Sequence, residues 1–313
     1  MRIGVDVMGG DYAPEAVVSG AILARNVLPD TVQIVLIGDR ELILRLCAKE
    51  QVSPDRFDIV HSTEVIGMGD NPAKAYSQKP DSSIAIGFRM LVRHELEGFA
   101  SAGNTGAMLA GAMFTAKSIP GIIRPAIAAT IPTPRGIPIV LLDVGINPDA
   151  RPDVLYQYGI LGSMYSRHVF GVPDPKVGLL NIGSEEEKGN LITKASYQSM
   201  KGTREFNFIG NVEGNDFFNY EKVDVIVCDG FVGNVMLKQA EAFYELSRHL
   251  GINDPFFEKF NFENYGGTPI LGINYPAIIG HGISNAVAIK NMICHTREVA
   301  EAKLIESIKE AFQ

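Results

Sequence analysis

Several short stretches of the chain set glycine beside Ser, Thr, Asn, Lys or His. That combination lets backbone N–H groups approach an anion closely while side chains add donors and charge. The clearest is Ser101-Ala-Gly103-Asn104-Thr105-Gly106-Ala107, where small residues follow an apolar run and precede a helical pattern. It reads equally well as a tight turn with Asn104 or Thr105 capping the next helix, or as a phosphate site in which Ser101, Asn104 and Thr105 add donors. Val5-Asp6-Val-Met-Gly9-Gly10-Asp11 is a second such junction. Two bare carboxylates would repel an anion, so Asp6 and Asp11 are expected to organise the loop around Gly9 and Gly10.

Further along, Asn181-Ile-Gly183-Ser-Glu-Glu-Glu-Lys188-Gly189-Asn190 places Lys188 as a point charge in a glycine-bounded loop. Glu185–Glu187 read as a solvated helix start, favourable to the helix dipole. Cys228-Asp229-Gly230-Phe-Val-Gly233-Asn234 repeats the design, with Lys238 one helical turn after Asn234. Cys228 reads as a small buried strand residue rather than a thiol nucleophile, since no His lies near it in sequence. Tyr265–Gly272 and His281-Gly282-Ile-Ser284-Asn285 complete the set. His281 is the histidine best placed for acid–base work, although a lone His is more often structural.

Elements must present these loops. Apolar, β-branched runs predict strands at Ile3–Val7, Val32–Ile37, Phe57–His61, Gly98–Ser101, Ala126–Ile131, Ile137–Val144, Val177–Ile182, Phe206–Ile209, Val223–Cys228 and Tyr275–Gly280. Helical periodicity marks Asp81–Leu96, Pro152–Val169, Asn190–Met200, Asn234–Leu250 and a single stripe from Ser284 to Phe312. Met108, Met113 and Phe114 read as core, and Gly67–Ser83 as a long surface loop. Runs such as Ile139–Leu142 are continuously apolar, the mark of strands covered by helices on both faces. The expectation is an α/β chain with a largely parallel sheet, whose ligands bind beyond the carboxyl ends of the strands. No linker or repeat breaks it, so residues 1–313 read as a single catalytic domain or two intimate subdomains.

Composition narrows the partners. The 28 basic and 36 acidic residues give a net charge of −8, which argues against a nucleic-acid coat. Cys47, Cys228 and Cys294 lie far apart with no metal-ligand spacing, so neither a disulfide framework nor a zinc site is expected. The start lacks a signal-peptide pattern, and a cytoplasmic location is expected. The longest apolar stretch falls short of the roughly 18 residues that span a bilayer. Absent too are the dinucleotide fingerprint after the first strand, the P-loop, the Ser-hydrolase elbow and the zincin helix.

Taken together, DVMGGDYAP at 6–14, SAGNTGA at 101–107, LLDVGIN at 141–147, VGLLNIGSEEEKGN at 177–190, FIGNVEGND at 208–216, VIVCDGFVGNVMLK at 225–238, YGGTPILG at 265–272 and HGISNA at 281–286 resemble one family. It is the bacterial phosphate acyltransferases of the PlsX type, and the resemblance runs the length of the chain. Val7 and Ile146 stand where the family more often has Ala. The stretch from Lys238 to Tyr265 is shorter than in many members, where it includes a membrane-touching helical region, which weighs against direct membrane docking here.

The resemblance implies a three-layer α/β/α fold like that of isopropylmalate dehydrogenases and phosphotransacetylases. It implies a homodimer, no cofactor and no metal. The implied reaction is attack of inorganic phosphate on the thioester of long-chain acyl-carrier protein, giving acyl phosphate for phospholipid synthesis. Peripheral membrane association, direct or through a membrane glycerol-3-phosphate acyltransferase, belongs to the same picture. On this reading Ser101, Gly103, Asn104, Thr105 and Gly106 cradle phosphate, with Asp6, Gly9, Gly10, Asp229, Gly230, Lys238 and Asn285 around the substrates. Lys188 and Asn234 stabilise developing charge, and His281 orients phosphate or protonates the thiolate. An acidic carrier calls for a local basic patch, with Arg89, Arg93, Lys74 and Lys79 as candidates. Competing readings are a decarboxylating NAD dehydrogenase of this fold, a phosphotransacetylase using coenzyme A thioesters, and a binding protein without turnover.

Overall fold

The computed structural model describes residues 1–312. They form two compact units, one of residues 1–118 with 262–301 and the other of the remaining residues.

The first unit holds β1 (Arg2–Asp6), β2 (Gln33–Gly38), β3 (Asp58–His61), β4 (Gly98–Ser101), β10 (Thr268–Leu271) and β11 (Ala277–Ile279) in the order β3-β2-β1-β4-β11-β10. All pairings are parallel except that of β10 with β11. Its helices are α1 (Glu15–Val27), α2 (Arg40–Lys49), α3 (Pro72–Gln78), α4 (Ser83–Val92), α5 (Thr105–Gly111) and α9 (Ala286–Glu301). Adjacent strand residues point to opposite faces. Gly98 lies under Thr296 of α9 while Phe99 lies under Gly87 of α4, so helices cover both sides of the sheet. The pairs Val5↔Ala100 and Ile279↔Ser101 bring the carboxyl ends of β1, β4 and β11 side by side, and the loops after them share one edge.

The second unit holds β5 (Ala126–Ile131), β6 (Ile139–Leu142), β7 (Lys176–Leu180), β8 (Asn207–Val212) and β9 (Val225–Val227) in the order β5-β6-β9-β7-β8. Only β5 runs antiparallel to its neighbour. Its helices are α6 (Pro152–Phe170), α7 (Leu191–Met200), α8 (Gly230–His249) and α10 (Leu304–Ala311). Val140–Leu142 and Val225–Val227 are fully buried on both faces of their strands, as their unbroken apolar runs require. Each such side chain contributes about 1.5–3 kcal/mol of burial free energy. Leu142↔Val227 and Leu179↔Val227 set the loops after β6, β9 and β7 along one edge.

The sequence reading needs correction in four places. Gly67–Ser83 is not one long loop, because Asn71 accepts from Lys74 N at 3.2 Å and caps α3 within it. The stripe from Ser284 to Phe312 breaks between α9 and α10, where Lys303 adopts a left-handed backbone with φ 50°. Tyr265–Gly272 contains β10, hidden by Pro269, which pairs with Ile278 of β11. Met108 is core, but Phe114 is 66% exposed.

Candidate active site

In the first unit the organising atom group is the Asp6 carboxylate. It closes β1, is 1% exposed, and accepts Ser101 Oγ at 2.6 Å and Met8 N at 3.0 Å. Ser101 Oγ in turn accepts Gly103 N at 2.9 Å. A Cβ on Gly9 would fall 2.3 Å from Asp6 Oδ2 and 2.7 Å from the Gly103 backbone, so the two loops meet only because both residues are glycine. Gly10, at φ 115°, turns the chain so that Asp11 N reaches Gly282 O at 2.8 Å.

Burial holds the Asp6 carboxyl above its ordinary 3.8, outweighing its hydrogen bonds to Ser101, Ser83, Met8 and Gly9. The folded chain therefore binds this proton more tightly than the unfolded chain. The resulting stability is complete below pH 3.8 and is lost as pH rises through the raised folded value. Asp6→Asn removes that dependence. In paired thermal melts between pH 4 and 7, wild type loses stability relative to Asp6→Asn as pH rises; a constant difference contradicts the assignment.

Several residues expected at the substrate are committed to the scaffold. Ser101 is fully buried and its hydroxyl is used by Asp6 and Gly103. Asn104 caps α5 through Ala107 N at 3.0 Å and donates to the carbonyls of Gly67, Met68 and Asp70 at 3.1–3.2 Å, stapling that turn to the loop. Asn285 accepts from Ala288 N at 3.0 Å at the start of α9 and donates to Glu263 at 2.7 Å. Thr105 is exposed and Gly106 half-exposed, at the start of α5. The half-buried His281 ring stands 5.0 Å from that of Phe262. Of the expected basic patch, Lys79 is paired to Asp70 at 2.7 Å and Arg89 donates to Pro80 O, while Lys74 and Arg93 are exposed.

The second unit repeats the plan around Asp143, which spacing alone did not single out as a site residue. Fully buried after β6, it accepts Ile127 N at 3.0 Å, Ile146 N at 3.1 Å and Asn147 N at 2.6 Å. Burial raises its pKa against those bonds. A Cβ on Gly233 would lie 2.0 Å from Asp143 O, so only glycine lets α8 start this close to the loop. Asp229 caps α8 through Val232 N at 2.9 Å, and Asn234 Nδ2 donates to Val144 O at 3.2 Å. Lys238 turns to Glu241 on the same helix at 2.7 Å. The Cys228 thiol is fully buried and pushed well above its ordinary pKa by that burial, as expected of a structural cysteine.

Lys188 sits on an exposed loop pinned at both ends. Asn181 Nδ2 donates to Lys188 O at 3.1 Å, and Asn211 Nδ2 to Glu185 O at 2.8 Å. Gly189, at φ 92°, leaves room for Asn181. Glu186 is drawn to Lys201 at 2.7 Å and held below its ordinary pKa by it, whereas the exposed Lys188 side chain makes no ion pair among the described residues. Asn211 was legible only as a letter in the FIGNVEGND stretch.

Residues 1–307 match the family model described as "Fatty acid synthesis protein". A phosphate acyltransferase of Desulfitobacterium hafniense is 42% identical over 99% of this chain and 97% of its own length. One from Leptospira biflexa is 39% identical over 99% and 96%. Among solved structures, a phosphotransacetylase from Streptococcus pyogenes superposes with TM-score 0.70 at 17% identity, covering 96% of this chain and 94% of that one. EutD phosphotransacetylase from Staphylococcus aureus gives TM-score 0.65 at 16% identity over the same shares. At such identity the structures establish the α/β fold alone. The full-length sequence matches do more: the chain belongs to the fatty acid synthesis protein family, whose members compared here are phosphate acyltransferases, and it is an enzyme of that class.

Proposed function

We propose that the chain transfers a long-chain fatty acyl group from acyl-carrier protein to inorganic phosphate, releasing acyl phosphate for phospholipid synthesis. A phosphate oxygen attacks the thioester carbonyl carbon, a C–O bond forms, the C–S bond breaks, and the carrier thiolate leaves and takes up a proton. Phosphate is itself the nucleophile, so positioning and charge stabilisation suffice without a covalent enzyme intermediate.

The observation that carries this reading is the pair of buried aspartates, each ordering glycine loops at strand carboxyl ends in a chain of this family. In the proposal, the N–H groups of Thr105 and Gly106 hold phosphate, in a turn whose shape the Gly103 N–H to Ser101 Oγ bond fixes. Lys188 and Asn234 stabilise the negative charge growing on the carbonyl oxygen, and His281 protonates the thiolate or orients phosphate. Ser101 and Asn104 act through the backbone they fix, since their side chains are already engaged.

Two further elements belong to this proposal. The chain works as a homodimer, consistent with the exposed Phe231, Val235, Phe243 and Leu246 of α8; light scattering checks it. Membrane contact is peripheral, direct or through a membrane glycerol-3-phosphate acyltransferase; no described helix is long and apolar enough to cross a bilayer. The donor is tested by offering palmitoyl-carrier protein and palmitoyl-coenzyme A in parallel. The carrier thioester is expected to be the preferred donor by kcat/KM; preference for coenzyme A makes the enzyme a phosphotransacetylase instead.

A further inference from the structure

A cavity of about 520 Å³ opens in the second unit beside the Asp143 loop, within the usual range for small-molecule sites. Ile123, Ile146 and Val154 give it apolar walls, and Arg124, Asn147 and Arg151 give it polar ones. The Arg124 side chain is exposed and has no hydrogen bond or ion pair among the described residues. Arg151 is paired with Asp153 at 2.8 Å, both exposed, an ion pair weak enough to be exchanged for a ligand. Asp149 is the one carboxylate in the lining, against two guanidinium groups. Below, Asn147 Nδ2 is fixed by Pro125 O at 2.8 Å and Tyr158 Oη at 2.6 Å, so this wall is rigid.

The cavity shares its wall with the proposed chemistry. Ile146 lies in the same five-residue turn as Val144, whose carbonyl receives Asn234 Nδ2, and that amide sits 3.4 Å from where a Gly145 Cβ would be. A molecule lying here is thus adjacent to the start of α8. It must offer an anion to Arg124 and apolar or amide surface to the walls. Inorganic phosphate supplies only the first, whereas the pantetheine arm of a carrier thioester supplies both.

We infer that this cavity binds the phosphodiester end of the donor's pantetheine arm, with Arg124 as its cationic contact. The inference rests on the thioester donor proposed above. A guanidinium fork donates two parallel, charge-assisted hydrogen bonds to a phosphate, a geometry that lysine does not reproduce.

Calorimetric titration of free 4′-phosphopantetheine and of pantetheine tests this without turnover. Wild type is expected to bind the phosphorylated compound at least about tenfold more tightly, and Arg124→Gln to erase that difference. In steady-state assays Arg124→Gln raises KM for the carrier thioester about tenfold and leaves KM for inorganic phosphate within about twofold, with Arg124→Lys in between. Equal binding of the two compounds by wild type, or a rise in KM for inorganic phosphate instead, overturns the inference. Failure of wild type to form acyl phosphate overturns the donor reading, and the calorimetric comparison still decides the cavity. Arg124 is exposed, so matched melting curves are expected for all three proteins.

Discussion

Lys188→Ala lowers kcat for acyl phosphate formation by about 10²–10³-fold, the usual cost of removing one preorganised group that stabilises a developing oxyanion. The loop survives the change, because Asn181 and Asn211 pin it through its backbone carbonyls and Lys188 is an exposed residue whose stem lies over Gly183. Melting temperature therefore stays at the wild-type value. Lys188→Arg keeps the charge but spreads it over a planar fork, and recovers part of the rate. The measurement is kcat at saturating phosphate with folding checked by circular dichroism. A folded Lys188→Ala protein at near-wild-type rate removes Lys188 from the chemistry.

Asp143→Ala destabilises the chain by about 3 kcal/mol or more and abolishes activity with it. The carboxylate satisfies the buried N–H of Ile127 and the partly buried N–H groups of Ile146 and Asn147, and a buried one left without an acceptor costs about 1–3 kcal/mol. Relief of the carboxylate's own burial offsets part of that loss, because burial already disfavours its charge. The consequence extends beyond stability, since Gly230 and Gly233 pack against Asp143 and Asn234 is hung on Val144 O. Asp143→Asn keeps one acceptor in place and is expected to lose less. Urea denaturation of the three proteins ranks them. A stability loss below about 1 kcal/mol for Asp143→Ala contradicts the role assigned to it.

The difference between these residues explains what the sequence could and could not show. Strand positions were legible because continuous apolar runs such as Ile139–Leu142 have few alternatives to burial on both faces. The parallel arrangement followed from helices alternating with strands. At the loops, Asn104, Asp229 and Asn285 satisfy two descriptions at once, since a side chain suited to cap a helix is also suited to bind a ligand. Only the geometry shows that all three are used as caps.

Asp6 was readable as an organiser because two bare carboxylates and an anion are incompatible. Asp143 stood in a matching stretch, yet its task is defined by backbone N–H groups as far away as Ile127, which no spacing reveals. β10 was missed for a local reason: Pro269 marks a turn in sequence but occupies a strand. The cavity at Arg124 and Arg151 joins residues 27 positions apart, again beyond the reach of a motif.

The central claim is that phosphate itself takes the acyl group from the carrier. Palmitoyl-carrier protein is incubated with the enzyme, with and without inorganic phosphate, and the product is trapped with hydroxylamine while free thiol is counted. The account predicts palmitoyl hydroxamate that depends on both enzyme and phosphate, with one thiol released per acyl group trapped. Enzyme-dependent thiol release that ignores phosphate, or no hydroxamate above the phosphate-free control, contradicts it.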